Sequence, residues 1–178
     1  VCSAVSVPVA VKLSPIYTAL AAMAAEIQGA GASGLVLFNR FLQPLVDIDT
    51  LETDAHVQLS HPEEQRLPLR WIGLLHGRLE LELAASTGIA SGRDVVRMVM
   101  VGAQITQVVS APLRHGPGHL ARMRHELLDW LQEHNIQDLN SMRGTLSQQR
   151  CPNPEAFERA QYLRALSSYP FSDPCSDP

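Results

Sequence analysis

The feature that most limits how this chain can fold is the way short apolar runs take turns with helical patterns. Four runs read as strands: residues 7–13 (VPVAVKL), 34–38 (GLVLF), 79–85 (LELELAA) and 104–109 (QITQVV). All but the third, which alternates, are apolar nearly throughout, as in strands covered on both faces. A helical pattern at about 18–30 brings Leu20, Ala24 and Ile27 together at three- and four-residue spacing and stops before Gly31. A second, at about 63–77, contains Pro68, which kinks it or marks its true first turn. A third starts at Ser91, where Ser91 and Asp94 can form a capping box. The fourth, at about 117–134, lays Leu120, Met123, Leu127, Trp130 and Leu131 on one stripe. Strand then helix, four times over, reads as parallel βα units of the α/β class.

A complete (β/α)8 TIM barrel needs ~250 residues. With 178 residues and four units, the chain fits the C-terminal half of such a barrel plus a helical extension. A small open α/β sheet competes with that reading. The expected division is residues 1–134 for the βα units, 135–170 for the extension, and 171–178 for a disordered tail. Within the extension, residues 135–150 are polar and expected to wrap the surface. A last helix follows, with Asn153 as cap and Pro154 at its first position. The connection at 39–61 is long enough to form part of a site. Val1 rather than Met opens the chain and the first strand arrives at once, so the sequence is expected to begin partway through a fold.

Composition narrows the function classes. A hydrophobic share of 46% with 18% charged residues suits one soluble core, and a net charge of -4 gives no electrostatic footprint for nucleic acid or anionic lipid. No run is long enough to span a bilayer, no signal peptide is evident, and the three cysteines lack CxxC spacing. A reducing cytoplasm is therefore expected, with no metal site. His115 and His119 are four apart, but Pro117 and Gly118 lie between them and no acidic partner is placed as in HExxH, so surface or capping roles are expected.

In parallel α/β folds, ligands bind at the carboxyl ends of the strands. STGIASG and SAPLRHGP stand at the ends of the third and fourth strands. Gly88 can let backbone N–H groups approach an anion and Ser110 can donate its hydroxyl, or the glycines simply make a turn. Lys12 ends an apolar strand, pointing either to solvent at the rim or inward over a pocket. Asn39 closes the second strand with Arg40; it can pair with a planar heterocycle, and it is equally a turn former.

Taken together, VAVKLSP, GLVLFNRF, LRW after Pro68, STGIASGRDVVRMVMVGA and SAPLRHGP resemble the dihydroorotate dehydrogenase family, most closely its class 1-like bacterial members. The resemblance covers nearly the whole chain but only the C-terminal half of the family barrel. It implies a flavoprotein that oxidises dihydroorotate to orotate in pyrimidine biosynthesis, with FMN at the barrel mouth. Lys12 then matches the family lysine that lies against the flavin, and Asn39 the asparagine that contacts the pyrimidine. Thr87, Gly88 and Val109 would hold the FMN phosphate through backbone groups, together with Ser110. The sequence departs from the family at Thr87 and Val109, which replace glycines, at His61 in a normally glycine-rich turn, and at Pro112 in place of leucine. No residue matches the family's general base, which lies on a loop of the other half, so this chain alone is expected to be inactive.

Three functions follow. The first is an FMN-dependent dihydroorotate dehydrogenase-like oxidoreductase represented by its C-terminal half. The second is a non-catalytic half-barrel that must pair with itself, as a homo-oligomer, or with a missing N-terminal half-barrel. The third is a flavin-free phosphate-binding barrel enzyme with Lys12 as a Schiff-base lysine; the run of motifs argues against it. Neither nucleic acid nor membrane is an expected partner.

Overall fold

The computed structural model describes residues 1–54 and 58–157. The tail at 171–178, and the last helix beyond its start as a 3-10 turn at Pro154–Phe157, lie outside the described residues. Four strands, β1 (Ala10–Leu13), β2 (Gly34–Leu37), β5 (Glu82–Ser86) and β6 (Ile105–Gln107), form one parallel sheet in that order. The connections carry α1 (Leu20–Gly29), α2 (Arg66–Leu75) and α3 (Gly92–Val101). Beyond β6 come a short α4 (Ser110–His115), α5 (His119–Glu133) and a one-turn α6 (Leu139–Met142).

Parallel register decides which side chains meet the helices. Leu13, Leu37 and Ala85 stand in one row and Val11, Leu35 and Leu83 in the next, all on the same face. That face packs with Leu20 and Ala24 of α1, Ile72 and Leu75 of α2, and Met98 and Val101 of α3 in the main core. Each fully buried leucine contributes roughly 2 kcal/mol of burial free energy. The alternate row, Lys12, Val36, Ala84 and Ile105, faces away from these helices. The expectation that the strands are covered on both faces therefore holds for β2, which is buried throughout, but not for the edge strands: Ile105 is 60% exposed.

This second face is concave. In a flat sheet β1 and β6 stand three strand spacings, roughly 14 Å, apart with parallel side chains. Yet Lys12 Nζ donates to Gln107 Oε1 at 3.3 Å across the two intervening strands. Only a sheet curled toward that face lets the two side chains converge, the curvature of part of a barrel.

Local rules explain the helix starts. Ser91 Oγ accepts the Asp94 N–H at 3.2 Å and the Asp94 carboxylate accepts the Ser91 N–H at 2.9 Å, the expected capping box. Pro68 is the third residue of α2, where its missing N–H costs no intrahelical bond, and a 3-10 turn at Pro62–Gln65 leads into it. The 39–61 connection holds an unexpected hairpin, β3 (Leu45–Asp47) with β4 (Glu52–Asp54). Its turn forms because Asp47 Oδ1 accepts the N–H groups of Asp49 and Thr50 at 2.8 and 3.1 Å. The stretch after α5 is less superficial than its polarity suggests. Met142 joins a second core with Val96 and Val99, Ser147 is fully buried, and Gly144 and Leu146 donate to the carbonyls of Val99 and Met100. On α5, Leu120 departs from the expected apolar stripe and is exposed, whereas Met123 is buried.

His76 joins the ends of these layers. A Cβ at Gly102 or at Gly144 would run into its ring, so both glycines are needed for close approach. Burial, then Arg150 and Arg143, push the His76 pKa below its usual value, so the fold prefers the neutral imidazole. The unfolded chain binds that proton more readily. Stability from His76 is therefore complete above about pH 6.5 and lost as pH falls toward the folded-state pKa. The urea midpoint is expected to drop between about pH 7.5 and 5.5, and to drop less in His76→Gln. An identical pH slope in the variant would refute the assignment.

Candidate functional site

The carboxyl ends of all four strands open onto one cavity of about 270 Å³. Lys12, Asn39, Thr87, Gly88, Val109 and Ser110 all line it, so the structure brings together every residue singled out from the sequence. Sequence reasoning missed Ser60 and Gln107, which line it too. Gln107 carried a faint signal, a lone polar residue near the carboxyl end of an apolar strand. Of the two orientations open to Lys12, the structure has the inward one: its side chain is exposed on the concave face.

The STGIASG turn is held from three sides. Gly88 has φ +74°, and a Cβ there would lie 2.5 Å from the Gln65 backbone nitrogen and 2.9 Å from the His61 carbonyl oxygen. The glycine is thus required by packing against the entry to α2. Its N–H donates to Ser60 Oγ at 3.3 Å. The amides of Ala90 and Ser91 go to Asp94, and that of Gly92 to Glu126 at 2.8 Å. The N-terminus of α3 is therefore capped by the protein itself.

Donors for a ligand come instead from hydroxyls and cations. Ser60 Oγ donates to Ser110 Oγ at 2.8 Å, and the Ser60 N–H donates to the same oxygen at 2.9 Å. With its oxygen already accepting two bonds, Ser110 is left to donate its own proton. The relay runs from the Gly88 amide through Ser60 to Ser110, and each bond polarises the next. Arg114 of α4 fixes the relay by donating to the carbonyls of Leu59 and Ser60, both at 2.7 Å. Val109 lines the cavity and is 65% exposed. Lys12 and Arg40 line the cavity, and no carboxylate does so among the described residues.

Two buried polar groups support this rim. Gln65 Nε2 donates to the Pro62 carbonyl at 2.8 Å and to Asp94 Oδ1 at 2.9 Å, tying the α2 entry to the α3 cap. Burial pushes the Asp94 pKa up, but hydrogen bonds from Gln65, Ala90 and Ser91 and the charge of Arg97 outweigh it, so the carboxyl ends below its usual value. His119 corrects an expectation. It is buried, with Nε2 2.7 Å from the Ala90 carbonyl oxygen and its ring 4.9 Å from that of His115. Among the described residues no group of His, Cys, Asp and Glu is arranged to hold a metal, and no helix is long and apolar enough to cross a membrane.

The comparisons with known proteins agree with this geometry. A family model described as dihydroorotate dehydrogenase matches residues 1–131. The chain belongs to the dihydroorotate dehydrogenase family. It is 31% identical over 140 residues to the dihydroorotate dehydrogenase B (NAD(+)) catalytic subunit of Desulforudis audaxviator, covering 77% of this chain and 45% of that protein. The corresponding subunit of a Geobacter species is 31% identical over 144 residues, covering 79% and 47%. The chain thus spans somewhat under half the length of these family members. Among solved structures, the DHODH of Eimeria tenella in complex with ferulenol superposes with a TM-score of 0.63 at 22% identity, covering 77% of this chain and 38% of that one. The ligand-free form from the same organism gives 0.61 at 21% identity, covering 76% and 38%. These likenesses place the fold as part of the family's barrel.

The turn makes a paired prediction. Thr87 has φ +83°, a left-handed conformation that is costly for a β-branched residue. Thr87→Gly is expected to leave stability unchanged or raise it by up to about 1 kcal/mol, as relief of strain outweighs added unfolded-state entropy. Gly88→Ala meets both positive φ and backbone atoms and is expected to cost about 2–4 kcal/mol. Denaturant unfolding of the two variants checks the contrast; equal effects would sink it.

Proposed function

We propose that this chain is the phosphate-side half of an FMN-dependent dihydroorotate dehydrogenase. One observation carries the reading: four strand ends gather two cations and hydroxyls around one cavity that no acid lines among the described residues. On a chain of net charge -4, such a cavity is suited to an anion. The donor set fits a phosphate monoester, since Ser110 and Lys12 are donors, Ser60 orients the Ser110 hydroxyl, and Gly88 keeps its backbone free of a side chain. The departures at Thr87 and Val109 leave N–H groups in place.

FMN, when bound, supplies the two-electron chemistry. Lys12 provides a cation on the concave face, and Gln107 holds it there by accepting its hydrogen bond. Asn39 offers a donor and an acceptor to the pyrimidine edge. No residue of this chain is assigned as the general base, which must reach the C5 proton of dihydroorotate within hydrogen-bond distance. We assign the base to the remaining strands of the barrel. The names of the relatives, NAD(+)-type catalytic subunits, support NAD(+) as final acceptor and a partner subunit. A cytoplasmic setting suits this chemistry. The expected boundary between half-barrel and extension, near residue 134, is retained, with the extension bracing α3.

A second reading has its own observation. Among the described residues, β1 and β6 have unpaired outer edges, and Ile105 is exposed on the concave face. Such a half-barrel associates, with a second copy or with the remaining half, whether or not it carries flavin.

FMN titration followed by flavin fluorescence tests the first reading. Binding is expected, weakened on the order of tenfold by Lys12→Met and by Ser110→Ala. Dihydroorotate is expected not to bleach the bound flavin. A chain that ignores FMN overturns this reading and leaves the second.

A further inference from the structure

We propose that His76, Arg143 and Arg150 form a second anion site, at the end of the sheet opposite the main cavity, which takes a doubly charged oxyanion of the phosphate class. The three residues lie where the chain enters the strands rather than where it leaves them. His76 caps α2 on the way to β5, and Gly102 ends α3 on the way to β6. The segment after α6 runs past both turns, its Gly144 amide donating to the Val99 carbonyl and its Leu146 amide to that of Met100. The His76 ring is pinned between them. A Cβ at Gly102 would meet its Nδ1 and one at Gly144 its Nε2.

These groups gather charge without a counter-charge. Arg143 Nη1 donates to Asn140 Oδ1 at 2.6 Å, while its Nε is buried and has no acceptor. Arg150 is exposed, and its guanidinium has neither a hydrogen bond nor a carboxylate partner among the described residues. Arg78, on the turn after His76, is instead taken up by Gln148 Oε1. The arginines are not needed to cap α3 either, because Val99 and Met100 already accept the Gly144 and Leu146 amides. Arg150 and Arg143 are the charged groups that act on His76, and both disfavour its protonation; no carboxylate among the described residues offsets them. An oxyanion would remove that repulsion. It would accept charge-assisted bonds from two planar guanidinium groups and from the imidazolium that forms beside them. By linkage, the anion and the His76 proton then favour one another. An anion bound here also offsets the loss of stability on acidification, because it restores a partner to the charged ring.

The probe is sulfate, which stays doubly charged throughout the range in which histidine titrates, with chloride at equal ionic strength as the control. The His76 ring signals of the full chain, assigned by their loss in His76→Gln, are followed by NMR as pH is varied. Sulfate is expected to raise the His76 pKa above its value in chloride, by an amount that corresponds to roughly tenfold tighter binding to the protonated form. Arg150→Met replaces an exposed side chain and spares the core, and it should remove most of that sulfate-dependent rise. Arg150→Lys should keep part of it, because an ammonium has the charge but lacks the planar fork. Glycerol phosphate and inorganic phosphate, compared in the same way, separate two sources of the anion. Tighter binding of the ester assigns an organic phosphate, and any other order among them assigns the free ion. A His76 pKa that sulfate moves no further than chloride does overturns the proposal, as does a full sulfate-dependent rise in Arg150→Met.

Discussion

The rim of this protein depends on how closely the turn after β5 lies against the entry to α2. Gly88 has no room for a side chain because the backbone of Gln65 and His61 fills the space. That proximity lets Ser60 reach the Gly88 amide and lets Gln65 reach Asp94, which in turn closes the cap of α3. One steric fact at Gly88 thus sets the spacing of two strand ends, one 3-10 turn and one helix start. Lose it and the hydroxyl relay to Ser110 loses its origin.

This arrangement gives Gly88 a packing role in the turn, beside any part it has in holding an anion. Gly88 serves the turn, and the helix that follows spends its first amides on Asp94 and Glu126. Polarity reaches the cavity indirectly, through side-chain oxygens supplied by the neighbouring loop. Glycine-rich turns at strand ends can therefore matter to a ligand by admitting another segment's donor rather than by offering their own.

Much of the fold was legible because period and caps are local signals. The Leu20, Ala24 and Ile27 spacing, the Ser91–Asp94 pair and the β-branched runs each specify their element without help from distant residues. The cavity-lining residues Lys12, Asn39, Gly88 and Ser110 were legible as strand-end positions, since parallel strands put their carboxyl ends on one rim. What escaped depends on tertiary approach. Ser60 belongs to a loop whose path is set by Arg114 fifty-four residues away. The hairpin around Asp47 rests on one carboxylate folding back on two amides, which reads the same as any polar loop. The burial of His119 and Ser147 needed neighbours that no short window contains.

Strand β6 has a further consequence. Among the described residues it is paired on one side only, yet it carries Gln107, leads into Val109 and Ser110, and through α4 supplies the Arg114 clamp. The least supported ladder of the sheet therefore governs the stiffness of the whole mouth. Amide protons there open at low free-energy cost compared with those of β2, which has neighbours on both sides. Anything that docks in the mouth must first still this border strand, and the entropy of doing so is charged against its affinity.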